Sequence, residues 1–107
     1  MSEFNRRRSP RISLAIPIRV HATSGQGHAL SETTRTLEIN RYGARIVLKG
    51  QVTPGTILQI VNIASNSTAS FRALRLEKAR SDEGEGMEWA VECLDENHNI
   101  WGVVFPS

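Results

Sequence analysis

Turn-forming clusters punctuate this sequence about every ten residues: "SGQGH" at 24–28, "NRYG" at 40–43, "TPG" at 53–55, "ASNST" at 64–68 and "SDEGEG" at 81–86. The runs between them are short, and no strong amphipathic helix interrupts them. In "AIPIRVHA", Ile16, Ile18 and Val20 alternate with Pro17, Arg19 and His21. That period of two is the mark of a strand with one buried face. Pro17 cannot donate to a ladder, which places it at a sheet edge or at the start of its strand. In "ALSETTRTLEI" the same alternation sends Leu37 and Ile39 to one face and Thr36, Glu38 and Asn40 to the other. "ARIVLK" puts Ala44, Ile46 and Leu48 on one side and Arg45 and Lys49 opposite. "TILQIVNI" is a β-branched run. "ASFRALRLEKAR" is rich in helix formers, but it lies between hairpin-like loops and among strands, so it reads as a long strand. "MEWAVECL" and "NIWGVVF" complete the set. The pattern predicts an antiparallel all-β barrel or sandwich.

At 107 residues the chain has room for one modest core. Residues 1–13 lack periodicity and read as a mobile basic arm, with one domain over 14–107. No apolar run approaches the roughly 20 residues that span a bilayer. "ISLAIPIRV" after the basic arm is not a secretory signal, because Pro17 and Arg19 break it and no small-residue cleavage pattern follows. A cytoplasmic location is expected. The single cysteine, Cys93, sits in the apolar "WAVECL" and reads as an inert buried thiol. His21, His28 and His98 have no metal-ligand spacing, and no motif of a known catalytic class is present. Neither a cofactor nor catalysis is expected. Trp89 and Trp101 lie among apolar residues and read as core or barrel-end packing.

The net charge of +2 conceals an asymmetry. Arg6, Arg7, Arg8 and Arg11 face only Glu3 within the first eleven residues. Asp82, Glu83, Glu85, Glu88, Glu92, Asp95 and Glu96 then run without a Lys or Arg between them. A surface built for nucleic acid is not organised this way. The arm "RRRSPR" fits three roles: a solvated tail, a nucleic-acid grip, or one half of a small-ligand clamp. Its guanidiniums match phosphate oxygens and guanine O6/N7 bidentately. A second element, "EINRYG" at 38–43, ends the strand whose phase turns Glu38 and Asn40 outward. A carboxylate accepts two hydrogen bonds, which suits the adjacent N1–H and N2 amino donors of guanine. Gly43 permits a tight turn or a close backbone approach. Alone, this element reads as a strand end with a polar turn.

Taken together, the two elements give the sequence its likeness to a family. It resembles the PilZ domain family, whose marks are an RxxxR arm and a (D/N)xSxxG turn. Arg7-Arg8-Ser9-Pro10-Arg11 matches the first. Glu38-Ile39-Asn40-Arg41-Tyr42-Gly43 aligns with the second, keeping its glycine. "GARIVL", "PGTIL" and "EWAVECL" add support, and the likeness runs over about residues 6–94. The resemblance implies a six-stranded antiparallel β-barrel that binds cyclic di-GMP. It implies that Arg7 and Arg11 grip guanine edges and phosphates. Glu38 and Asn40 would read guanine, Gly43 would shape the turn, and Arg8 and Arg41 would add contacts. Two positions depart from the pattern: Glu38 is longer than Asp by a bond of about 1.5 Å, and Asn40 replaces Ser. "DENHNIWGVVFPS" is too short for the terminal helix common in the family and predicts a turn and a short extended segment. The implied role is a receptor whose arm docks on the ligand and is then recognised by a downstream protein. The alternative is a protein–protein interaction domain that needs no ligand.

Overall fold

The alternating runs become strands in the computed structural model, which describes residues 10–23, 29–82, 86–95 and 99–105. In chain order they are β1 Ile12–Ser13, β2 Pro17–Thr23, β3 Ala29–Asn40, β4 Gly43–Leu48, β5 Ile57–Asn62, β6 Ser67–Lys78 and β7 Met87–Cys93. Every pairing is antiparallel. The order β3-β2-β5-β6-β7-β4 closes on itself through a β3–β4 pairing, giving a six-stranded barrel, while short β1 lies along β3 beyond β2. There is no helix among the described residues. The architecture is the closed barrel that the resemblance implied. The helix-prone run 69–80 is a strand as far as Lys78 because β6 pairs on both sides, with β5 and β7. Tertiary pairing overrides a weak local propensity.

The inward faces follow the expected alternation over most of the sheet. Ile18, Val20, Ala44, Ile46, Leu48, Leu58 and Ile60 are completely buried. Each large aliphatic side chain among them contributes about 1.5–3 kcal/mol by leaving water. Pro17 opens β2, where its missing N–H costs no ladder bond. Residues 99–105 form no regular element, turn at Gly102 (φ 75°) and bury Ile100, Trp101 and Phe105. The rings of Trp101 and Phe71 lie 5.7 Å apart, and Asn62 donates to the Ile100 carbonyl at 2.7 Å. The C-terminal segment therefore joins the core, as the apolar setting of Trp101 predicted.

One stretch of β3 corrects the expected phase. Thr36 is fully buried, Leu37 is half-exposed, and Asn40 is fully buried. The register of β3 on β4 shifts between Thr36 and Glu38. A bulge there places one extra residue in the strand, which exchanges inward and outward faces beyond it. The chain from β1 to β2 bends at the same level. The Thr36 hydroxyl secures the bend, donating to the Leu14 carbonyl at 2.6 Å and accepting from the Ile16 N–H at 2.9 Å. Thr36→Val keeps the shape but strands a buried N–H. The variant should lose about 1–3 kcal/mol, read as a lower urea midpoint. An unchanged midpoint would show that the hydroxyl does not secure the bend.

Candidate functional site

Two segments far apart in sequence are brought together by β1. Ile12 pairs with Ile39 and Ser13 with Glu38, so the chain entering β1 passes beside the end of β3. Arg11 stands at that entry. Its Nη1 lies 3.4 Å from Glu38 Oε1, across 27 residues of sequence. Ile12–Ser13 thus belongs to the sheet. Arg7 and Arg8 lie outside the described residues.

Beside this contact is a surface cleft of about 380 Å³, lined by Ser13–Ala15, Arg35–Glu38, Arg45, Lys78, Asp82 and Glu88. Three cationic side chains (Arg35, Arg45, Lys78) and three anionic ones (Glu38, Asp82, Glu88) share its wall. Arg45 sits directly across the β3–β4 ladder from Glu38 and donates from Nη2 to Glu38 Oε2 at 2.9 Å. Both oxygens of Glu38 therefore carry a guanidinium. On its other side, Arg45 Nη1 stands 3.8 Å from Glu88 Oε1. Glu88 is buried, and its Oε2 accepts from the Ser81 hydroxyl at 2.6 Å. Such partners offset the cost of burying a carboxylate this deep. Arg45 Nε is buried with no acceptor. At the outer wall Lys78 hydrogen-bonds Asp82, which raises the pKa of the ammonium and lowers that of the carboxyl. Both remain charged at neutral pH.

The other expected site residues take different positions. The expectation that Asn40 faces outward is corrected: it is fully buried and works within its own turn. Its Oδ1 accepts from the N–H groups of Tyr42 (2.8 Å) and Gly43 (2.9 Å), while its Nδ2 is buried without a partner. This is an Asx turn, in which a side chain replaces a backbone acceptor. Asn40 ends β3, and the turn it caps, not strand alternation, sets its side chain. Arg41 reaches the C-terminal segment, donating from Nη2 to the Phe105 carbonyl at 3.3 Å. Gly43 pairs with Glu92, and a Cβ there would lie 2.1 Å from the Val91 carbonyl oxygen. Gly43 does not have a positive φ, so close approach of β7 is what requires glycine.

The sequence places Arg45 on the outer face of its strand but does not connect it to the site. The signal present was its alternation with Ala44 and Ile46. The missing signal was the register that sets it opposite Glu38. The described members of the acidic run are paired: beside Asp82 and Glu88, Glu92 lies 3.6 Å from Arg72, and Asp95 accepts from the Ser70 N–H at 3.0 Å. Cys93 is half-buried rather than buried, and that burial pushes its thiol pKa up. No cluster of metal-ligating side chains occurs among the described residues, nor a helix long and apolar enough to cross a membrane.

No family model matches the chain, and no curated protein matches it. Among solved structures, the complex of K. pneumonia MrkH with c-di-GMP has a similar fold, with a TM-score of 0.55 and 14% sequence identity. The match covers 83% of this chain and 43% of that one, so this chain spans less than half the length of MrkH. At that identity the likeness establishes the fold.

Proposed function

We propose that this chain is a receptor module for cyclic di-GMP, binding it between the basic N-terminal arm and the cleft beside Glu38. The observation that carries the reading is the meeting of Arg11 and Glu38 at 3.4 Å on the rim of that cleft. An arginine from the arm and an acidic residue from the turn motif thereby address one point on the surface. The fold's likeness to MrkH, solved with c-di-GMP, supports the same reading. The cleft, at about 380 Å³, lies at the lower end of the range of small-molecule sites. A dinucleotide would therefore project from it, and Arg7 and Arg8 of the arm would cover the exposed part. With Asn40 committed to its turn, recognition of guanine falls to the arm and the backbone of the turn.

Docking of the arm would order it at a cost of about 1–2 kcal/mol per residue fixed. Hydrogen bonds to charged groups, at about 1.5–3 kcal/mol each, offset that cost. The docked arm then presents a surface that the free arm lacks, and a downstream protein reads the shift in population.

Calorimetric titration tests this. Cyclic di-GMP should bind with measurable heat, and GMP should bind far more weakly. Arg11→Ala should weaken the dinucleotide by about tenfold to a hundredfold. No heat at saturating dinucleotide would sink the reading and leave a ligand-independent interaction domain.

A further inference from the structure

We propose that Glu38 is a built-in counter-anion that holds Arg11 and Arg45 in the unliganded chain. Ligand binds by exchange, a phosphate taking the place of the Glu38 carboxylate on this pair of guanidiniums. The inference rests on the cyclic di-GMP reading and adds to it both a binding residue, Arg45, and a control on affinity.

The geometry is that of an occupied anion site. One oxygen of Glu38 faces Arg11 at 3.4 Å and the other accepts from Arg45 at 2.9 Å. A carboxylate between two guanidiniums imitates a phosphodiester, which also offers two anionic oxygens. Arg45 is poorly used as it stands. Its Nε is buried without an acceptor, and its Nη1 is 3.8 Å from Glu88, beyond hydrogen-bond length. A planar fork of five donors that makes so little of its capacity is poised to accept a better anion.

Exchange does not strip Arg45 of compensation. Glu88, buried and fixed by Ser81, remains beside it when Glu38 swings away. Glu38 is able to leave, since its side chain is 20% exposed at the cleft wall whereas that of Glu88 is 3% exposed. The charge balance points the same way. With Glu38 in place, the cleft wall carries three charges of each sign, a poor host for a dianionic dinucleotide. Moving one carboxylate out gives the wall a positive excess.

The sign of one substitution separates this role from direct guanine recognition. If Glu38 chiefly reads guanine, Glu38→Gln loses an acceptor oxygen and weakens binding. If Glu38 chiefly competes with the ligand, the same change removes the competitor and tightens binding. We expect Glu38→Gln to bind cyclic di-GMP about tenfold more tightly than the parent. We expect the gain to vanish in Glu38→Gln/Arg45→Lys, which keeps a cation beside Glu88 but lacks the fork. Thermal unfolding of each variant establishes that the barrel is intact.

Inorganic pyrophosphate serves as a second probe that carries no base. It should bind the Glu38→Gln chain more tightly than the parent. Dinucleotide binding to the parent that is unchanged or weakened by Glu38→Gln overturns the exchange and leaves the receptor reading standing. Failure of the dinucleotide on every chain, with pyrophosphate still favouring Glu38→Gln, overturns the receptor reading and supports an anion site latched by Glu38. Failure of both probes on Glu38→Gln removes both.

Discussion

Gly43→Ala is expected to remove about 4 kcal/mol or more of stability, at the extreme of single-substitution effects. A Cβ at this position would stand 2.1 Å from the Val91 carbonyl oxygen and 3.2 Å from both Val91 C and Glu92 Cα. The obstacle is backbone, which cannot rotate aside as a side chain can. Relief requires β4 and β7 to separate at the Gly43–Glu92 pair, next to the 2.7 Å bond from Cys93 N–H to the Tyr42 carbonyl. Separation there opens the barrel where the turn motif is formed. Small domains have only about 5–15 kcal/mol in all, so the variant should be marginal, with a Tm lower by about 15 °C or more. Calorimetry or circular dichroism melting measures this directly. A drop of only a few degrees would mean that the two strands have room to spare.

Asn40→Ala should be nearly as damaging, with an expected loss of about 2–4 kcal/mol. The substitution leaves the N–H groups of Tyr42 and Gly43 without their acceptor, Oδ1 at 2.8 and 2.9 Å. Removal of the unpaired Nδ2 returns part of that loss. Asn40→Ser should cost about 1 kcal/mol, because a serine hydroxyl forms the same kind of turn more weakly. This ordering bears on the site. The family that the sequence resembles has serine at this position, and both residue types can hold the turn. If Asn40→Ala instead kept full stability and lost only nucleotide affinity, Asn40 would be a ligand contact and its burial would have been misread. Urea unfolding of the three chains, beside titration with cyclic di-GMP, separates the two results.

Much of the fold was legible because its causes are local. Ile16, Ile18 and Val20, and then Ala44, Ile46 and Leu48, carry the period of two that a half-buried strand demands, and all six are buried. The turns at 40–43 and 53–55 are marked by residues with turn chemistry. Run 69–80 was ambiguous on propensity alone, and the two flanking partners of β6 decided it. The faces of Thr36 and Leu37 were misread because a bulge leaves no mark in the alternation: one extra residue between Thr36 and Glu38 sets them out of phase with Ile39. Asn40 was misread for another reason: the strand ends there, and its side chain folds onto the N–H groups of Tyr42 and Gly43.

The order of residues along the chain was enough to determine strands, turns, an all-β class and an arginine-rich N-terminal run, since each follows from neighbours within a few positions; closure into a barrel was implied only by the family resemblance. Only the tertiary structure decided that Arg11, Glu38, Arg45 and Glu88 form one chain of charges, and that Asn40 turns inward. Those outcomes depend on which rung of one strand meets which rung of another. Register of that kind is a property of the assembled barrel, settled by packing and bulges between segments that the linear sequence keeps apart.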